Sequence, residues 1–532
     1  MPTQNSKPNI VVILADDMGY SDIGAFGSEI DTPNLDALAR SGVRFTQFYN
    51  SARCCPSRAS LLTGVDPHVA GIGHMVGDYG LPGYRGRIGT DVVTIAEALR
   101  PGGYQTFMAG KWHVGGDYNV ADEEQWRVAG DAAHPTPRQR GFDRFYGTLT
   151  GAGSYYRPPT LVRDDDFTEP DSPDYHFTDA IGAEAAAMID EAEATRPFLL
   201  YLAYTAPHWP LHARERDIAR YEGRYRGGWD AVRTARHEEL KAAGLVDPRW
   251  EISPRDPDSH PWYDEPNHDW EDLRMAAYAA QVEQMDRSIG TVMEAIRRRG
   301  DEDNTLVMFL SDNGGCAEFL REDGEPTSWP GFYARPTIDG RPVHVGNNPR
   351  LRPGGDQTFM SYDLPWANAS NAPFRLFKHW VHEGGIATPL VVSWPARVSG
   401  GICHAPYHVK DVMATCLEAA GVAYPTECNG TEIVPTTGES FLTAAERANG
   451  ELGAWLRREP ISWEHEGNSA VRDGEWKLVR RYPGDWELYN MNDDRTELHD
   501  LAAGEPDRLR RLVARYERWA ARSNVVDWPV NR

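Results

Sequence analysis

Asn9-Ile10-Val11-Val12-Ile13-Leu14-Ala15-Asp16-Asp17 is an unbroken, mostly β-branched apolar run that stops abruptly at two carboxylates. Alternation of apolar and polar residues would mark a strand with one wet face. Its absence marks a strand covered on both faces, as in a parallel sheet sandwiched by helices. The pattern recurs. Val43 to Tyr49 leads into Cys54; Tyr104 to Ala109, after a helical Val92 to Arg100, ends at Lys111-Trp112-His113. Phe198 to Tyr204, after a helical Thr178 to Ala194, ends near His208, and Thr305 to Leu310, after a helical Asp272 to Arg299, ends at Asp312-Asn313. Ligands of open α/β sheets bind outside the carboxyl ends of the strands. Asp16, Asp17, Lys111, His113, His208, Asp312 and Asn313 are therefore expected to converge on one cleft.

The chain has 532 residues, 40% hydrophobic and 25% charged, with a formal net charge of -24. Such a composition is that of a soluble globular protein. The acidic surface argues against nucleic acid as a partner and would repel an anionic substrate, so an anion site must be built from a local cluster of cations and oriented amides. Six cysteines, two of them adjacent, do not make a disulfide framework. No run of 18 apolar residues suggests a membrane span, and the polar N-terminus does not read as a signal peptide. A cytoplasmic location is expected, or a periplasmic or secreted one if a leader has been removed. Asn368-Ala369-Ser370 and Asn429-Gly430-Thr431 match the glycosylation pattern and are read as chance.

Arg214 to Asn267 and Gly315 to Pro373 break the pattern as long irregular insertions, of the kind that shape a substrate site. Near Pro389 to Trp394 another buried strand is expected, then a helical Val409 to Ala420 and a linker around Asn429 to Gly438. Ser469 to Arg472, Glu475 to Arg481 and Trp486 to Tyr489 read as antiparallel strands joined by turns, and Pro506 to Ala521 as an amphipathic helix. The division expected is a catalytic α/β domain over 1–440 and a C-terminal α+β subdomain over 441–532.

Asp16, Asp17, Asp312 and Asn313 offer oxygen only, which suits Ca²⁺ or Mg²⁺ better than Zn²⁺. Either pair alone is ordinary turn punctuation; two pairs at two buried strand ends favour a metal. Cys54-Cys55-Pro56-Ser57-Arg58-Ala59-Ser60-Leu61-Leu62-Thr63-Gly64 supplies the decisive motif. A disulfide, a zinc ligand and a buried thiol are the plain readings of Cys54. Adjacent cysteines lack Cys-x-x-Cys spacing, however, and are poorly placed to bridge each other.

The segment resembles the type I sulfatases of the alkaline phosphatase superfamily, and bacterial arylsulfatases in particular. Ala206-Pro207-His208-Trp209-Pro210 is similar to the same enzymes, as are Lys378 and the following Gly384-Gly385-Ile386. That family's usual Arg after Gly-Gly-Ile is Ala387 here. The resemblance implies that a formylglycine-generating enzyme oxidises Cys54 to an aldehyde, whose hydrate is the nucleophile. One hydroxyl attacks sulfur and the other then expels sulfate, so one hard step becomes two easier ones. It implies Ca²⁺, with Mg²⁺ possible, held by Asp16, Asp17, Asp312, Asn313 and residue 54. Asp312 would orient and help deprotonate the attacking hydroxyl, Arg58 and Lys111 would stabilise its oxyanion, and His113 would be the base for the second hydroxyl. His208 and Lys378 would bind sulfate and protonate the departing alcohol or phenol.

The implied fold is a large, mostly parallel sheet between helices with a smaller antiparallel C-terminal sheet. The implied reaction is hydrolysis of sulfate monoesters of phenols or carbohydrates. A phosphonate monoester hydrolase or phosphodiesterase shares the motif, and a non-enzymatic glycan- or anion-binding protein with unmodified Cys54 is the rival from another class, though it has no need of His113. Trp229, Trp262, Trp329 and Trp366 are read as packing more than as a platform for an aryl group or sugar ring.

Overall fold

A computed structural model describes residues 7–117, 130–322, 334–448 and 457–530. The apolar runs form the middle of an eleven-stranded sheet. Its first eight strands are β1 (Asn9–Asp16), β2 (Val43–Tyr49), β3 (Gln105–Lys111), β4 (Arg144–Thr148), β5 (Leu161–Arg163), β6 (Asp166–Phe167), β7 (Phe198–Pro207) and β8 (Thr305–Ser311). Two-residue strands β9 (His344–Val345) and β10 (Thr358–Phe359) pair within the second insertion. The large sheet is completed by β11 (Ala387–Ser393), β12 (Gly401–Cys403) and β13 (Tyr407–His408). Its order is β12-β2-β11-β8-β1-β7-β3-β4-β5-β6, with β13 also on β2.

Strands β8, β1, β7, β3 and β4 are mutually parallel, so the ends of β1, β3, β7 and β8 lie on one edge. Strand β11 runs against both β2 and β8. That reversal carries a consequence for the site: β11 begins where its neighbours end, which brings the loop ahead of it, with Lys378, to the same edge.

Both faces of the sheet are covered, as the unbroken apolar runs require. Val11, Ile13 and Ala15 pack under the helices Phe177–Glu191 and His268–Arg299, whereas Ile10, Val12 and Leu14 face Cys54–Thr63, Ile95–Leu99 and Asp411–Ala420. The helix expected over 92–100 begins only at Ile95. Thr94 and Glu97 close a reciprocal capping box there, which satisfies the free N–H groups and sets the start. The first insertion is less irregular than expected, since Gly228–Ala242 is a helix with Trp229, Arg233, Arg236 and Leu240 on its buried side. Trp229, Trp262 and Trp366 pack edge to face on one another, with Trp229 and Trp366 fully buried. They form a core for the insertions; Trp329 lies outside the described residues. Asn368 is buried in the helix Asp363–Ser370. No helix among the described residues is long and apolar enough to cross a membrane.

A hairpin of β14 (Glu427–Cys428) and β15 (Thr431–Glu432) occupies the linker. The C-terminal sheet is antiparallel: β16 (Ile461–His465), β17 (Asn468–Asp473), β18 (Trp476–Arg480) and β19 (Trp486–Asn490). Strand β16 is an addition to the expected three. Val471, Leu478 and Leu488 pack on Leu512, Tyr516 and Trp519 of the helix Pro506–Arg522.

A buried ion network fastens this sheet to the loop before β11. Lys477 on β18 pairs with Glu383 at 2.8 Å and with Glu497 at 2.7 Å, and Arg495 pairs with Glu383 at 2.8 Å, all without solvent exposure. Burial pushes the Glu383 carboxyl up, but Lys477 and Arg495 outweigh it and hold it below its ordinary 4.5. A depressed folded pKa gives stability that is complete above pH 4.5 and drains as the pH falls below it. Lys477→Met removes one partner from two buried carboxylates and is expected to cost about 3–5 kcal/mol, read as a lower urea midpoint. An unchanged midpoint would show that the network contributes nothing.

Candidate functional site

The five strand ends and the loop before β11 meet in one crevice. Cys54 opens the helix Cys54–Thr63, which follows β2, so the helix N-terminus points its free N–H groups and partial positive charge at this crevice. Asp17 and His113 both stand in left-handed backbone, at φ 63° and 55°. Such strain in non-glycine residues is held only where the surroundings enforce it, and here it lies immediately past β1 and β3. Gly151 leaves the room for the His113 ring, since a Cβ there would sit 2.5 Å from Cε1.

Around Asp16 and Asp312 the cations form the cluster that an acidic protein needs to hold an anion. Lys111 Nζ donates to Asp16 Oδ2 at 2.5 Å. Arg58 donates from Nε and Nη2 to Asp312 Oδ2 at 3.0 and 2.9 Å, pairs with Asp16 Oδ2 at 3.4 Å, and donates from Nη1 to the Lys111 carbonyl at 2.9 Å. Its guanidinium is thus engaged in orienting the two carboxylates. Asp312 Oδ1 accepts from the Asp17 N–H at 3.2 Å, and Asn313 Nδ2 donates to Asp17 Oδ1 at 2.8 Å. Asp16 Oδ1 and Asn313 Oδ1 are buried yet accept no hydrogen bond. Burial pushes Asp16 up, but Lys111 and Arg58 outweigh it and hold it below its usual range. Asp312 goes the other way: burial, then the Asp16 charge, drives it well above.

On the far wall Lys378 Nζ donates to Asp17 Oδ2 at 2.8 Å and lies 3.3 Å from His208 Nε2. His208 Nδ1 is 2.6 Å from the Trp209 carbonyl, so its N–H belongs there and Nε2 carries the lone pair turned to Lys378. Burial lowers the His208 pKa, and Lys378 adds to the fall against the pull of Asp17. The loop that brings Lys378 here is held by glycines. Gly314, next to Asn313, passes so close to Gly384 that a Cβ would lie 1.9 Å from the Gly384 carbonyl oxygen. The Gly314 N–H donates to Gly385, and the Lys378 N–H to Gly315, both at 3.1 Å. Ala387 is buried at the start of β11 opposite Tyr49, so the missing arginine leaves the loop intact.

His113 touches both thiols, its Nδ1 lying 3.6 Å from Cys54 Sγ and 3.4 Å from Cys55 Sγ. Burial pushes the imidazole down to about 4, with Cys54 opposing and Lys111 adding to the fall. At neutral pH it is an uncharged base. The two thiols diverge: the hydrogen bond from Cys55 is the main cause that drives Cys54 well below the usual thiol range, whereas burial drives Cys55 well above it.

All ten expected residues, Asp16, Asp17, Cys54, Arg58, Lys111, His113, His208, Asp312, Asn313 and Lys378, are brought together. Two more, Arg53 and Glu318, were not legible in the sequence, and Cys55 was read there only as the neighbour of Cys54. Arg53, the residue ahead of the helix, pairs with Glu318 at 3.1 Å; Glu318 also accepts from Trp209 Nε1 at 2.7 Å. Cys55 lies against His113. Arg53 and Glu318 are far apart in the chain and carry no motif, so no local pattern announces them.

A family model described as sulfatase matches residues 8–422, and one described as N-sulphoglucosamine sulphohydrolase, C-terminal, matches 374–513. An uncharacterized sulfatase of Schizosaccharomyces pombe is 31% identical over 99% of this chain and 96% of its own length. An arylsulfatase of Klebsiella aerogenes is 33% identical over 82% of this chain and 92% of its own. Among solved structures, Ps i-CgsB in complex with k-i-k-neocarrahexaose is similar with a TM-score of 0.66 and 26% identity, covering 97% of this chain and 93% of that one.

Proposed function

This chain belongs to the sulfatase family and hydrolyses sulfate esters, and we propose that it does so with residue 54 oxidised to formylglycine beside one Ca²⁺, or Mg²⁺, held by Asp16, Asp17, Asp312 and Asn313. Sulfated small molecules or carbohydrates are its substrate class.

The observation that carries the proposal is the pair of buried, unpartnered oxygens, Asp16 Oδ1 and Asn313 Oδ1, within an all-oxygen set at the mouth where Cys54 sits. An orphaned buried acceptor costs about 1–3 kcal/mol. A hard cation accepting those lone pairs removes the cost, and oxygen-only donors are its preferred ligands. Such an ion, bound with residue 54 as a further ligand, supplies charge neutralisation and polarisation at the sulfate. The formylglycine hydrate supplies the nucleophilic hydroxyl and a second hydroxyl for sulfate release.

The side chains do the rest. Arg58 holds the Asp312 and Asp16 carboxylates in fixed orientation, and Asp312 orients and helps deprotonate the attacking hydroxyl. Lys111, held by Asp16, places positive charge where oxyanion charge develops at residue 54, as does Arg58. His113, neutral at physiological pH, takes the proton of the second hydroxyl. Lys378 and His208 bind sulfate oxygens from the opposite wall, and His208 protonates the leaving oxygen.

Both an aryl sulfate and a sulfated sugar fit this reading; the arylsulfatase relative favours the first and the oligosaccharide bound to Ps i-CgsB the second. We propose further a cytoplasmic site of action, maturation by a formylglycine-generating enzyme, and residues 1–440 as the catalytic domain with 441–532 as its C-terminal subdomain. A panel of sulfated phenols, steroids and sugars, assayed for sulfate release beside a phosphonate monoester of the same phenol, tests the substrate. Faster turnover of the phosphonate would favour the phosphonate hydrolase instead.

Chelation is expected to abolish activity, and Ca²⁺ or Mg²⁺ to restore it. Asp16→Asn should raise the Ca²⁺ concentration needed by at least tenfold, roughly the scale of disturbing a metal's ligand shell. Recovery with Zn²⁺ alone would overturn the oxygen-ligated hard cation.

A further inference from the structure

A second cluster of metal-binding side chains lies beside the crevice, where the C-terminal sheet meets the catalytic core. It draws on three distant segments: His74, beyond the helix Cys54–Thr63; His379, next to Lys378; and His465 with Glu466, at the turn between β16 and β17. His74 Nδ1 lies 3.3 Å from Glu466 Oε1, His379 Nδ1 lies 3.0 Å from Glu466 Oε2, and His465 Nε2 lies 3.7 Å from Glu466 Oε1. The ligand atoms of His74, His465 and Glu466 all fall within 4.8 Å of one another. The ring of His465 is 5.7 Å from that of His74 and 5.5 Å from that of His379.

Two independent features show that the cluster is not ordinary packing. His465 is fully buried, yet neither of its ring nitrogens makes a hydrogen bond, and His74 Nδ1 makes none either. Each such unmade bond costs about 1–3 kcal/mol. The turn is the second feature. His465 faces Asn468, so Glu466 and Gly467 are the two central residues, both at positive φ, 50° and 81°. Such a turn calls for Asn-Gly, Asp-Gly or Gly-Gly. Glutamate is strained there, as is His379 at φ 89°. The strain is accepted where the side chains are needed, and both aim at the same point.

We propose that His74, His379, His465 and Glu466 form a second cation site, of zinc class, distinct from the oxygen-only set at residue 54. Imidazole and carboxylate donors suit Zn²⁺ and its first-row neighbours, whereas an all-oxygen set suits Ca²⁺. Four ligands at Zn–N and Zn–O distances of about 2.0–2.1 Å stand about 3.3 Å apart in a tetrahedron; His74 and His465 meet Glu466 Oε1 at 3.3 and 3.7 Å, whereas His379 meets Oε2 at 3.0 Å, so His379 must swing toward the other three to complete the site. The bound ion ties the C-terminal hairpin to the segment carrying Lys378. The His379 N–H already donates to the Ala52 carbonyl at 2.7 Å, two residues from Cys54, so the clamp braces the wall of the crevice.

The full-length protein, saturated with Ca²⁺, is titrated with Zn²⁺ and with Co²⁺, and bound metal is counted after gel filtration. One equivalent of Zn²⁺ beyond the hard cation is expected, with tetrahedral d–d absorption for Co²⁺ and a zinc-dependent rise in Tm. Glu466→Gln keeps the shape of the turn side chain and removes its charge; it should weaken Zn²⁺ at least about 100-fold, beyond the usual loss from an outer partner, and abolish the Tm rise. His465→Asn should do the same. Wild-type protein that takes up no equivalent of Zn²⁺, or Glu466→Gln that binds it as wild type does, overturns the proposal. Zinc retained by Glu466→Gln but lost from Cys54→Ser would place it on the Cys54, Cys55 and His113 set, and overturns it equally.

Discussion

Cys54→Ala is expected to abolish sulfate-ester hydrolysis, with a fall in kcat on the order of 10⁶-fold, the scale on which covalent nucleophiles are lost. The expectation rests on position: Cys54 alone stands two residues before Pro56 and four before Arg58, at the first turn of a buried helix whose N-terminus faces the cation cluster. Removing it leaves Lys111, Arg58 and the carboxylates with nothing to activate. Cys55→Ala should cost far less, since the Cys55 thiol is held neutral by burial and serves only as a neighbour of His113. Peptide mass spectrometry of active protein should find the aldehyde or its hydrate at position 54 and an unmodified thiol at 55. Fully active enzyme in which Cys54 is wholly a free thiol would refute the assignment.

His208→Ala is expected to separate substrates by their leaving group. A nitrophenolate departs without a proton, whereas an alkyl or sugar alkoxide does not, so general-acid help grows with the basicity of what leaves. The loss should be small on the chemical step for activated aryl sulfates and roughly 10²- to 10⁴-fold for alkyl or sugar sulfates, apart from a common loss in sulfate binding. The geometry suits the role. Nδ1 is committed to the Trp209 carbonyl, and Nε2 lies 3.3 Å both from Lys378 Nζ and from Asp17 Oδ2, one to share a proton and the other to stabilise the imidazolium. The dependence of rate on leaving-group pKa should therefore steepen in the mutant. An equal loss across leaving groups, with chemistry rate-limiting, would make His208 a sulfate-binding residue and pass the acid role to Lys378.

The sequence by itself determined the layered architecture, because an apolar run without alternation, such as Ile10 to Ala15, has no stable place except between two covering layers. It determined most of the crevice for the same reason: residues at the carboxyl ends of parallel strands must share an edge, however far apart they stand in the chain. Motif spacing singled out Cys54 and Arg58 on one helix.

The direction of β11 was decided only in the tertiary structure, since apolar runs look alike in either orientation; that direction delivers Lys378 to the crevice. Arg58 turned to the carboxylates because a fully buried guanidinium must satisfy its donors on whatever acceptors the fold brings, here Asp16, Asp312 and two strand-end carbonyls. The Trp residues of the insertions became a core because the helix Gly228–Ala242 placed Trp229 against Trp366. Arg53 with Glu318, and the cluster of His74, His379, His465 and Glu466, were equally invisible in the chain. Each joins segments that no period or motif relates, and side chains meet across such distances only when the packing of two sheets and their loops has set where every segment lies.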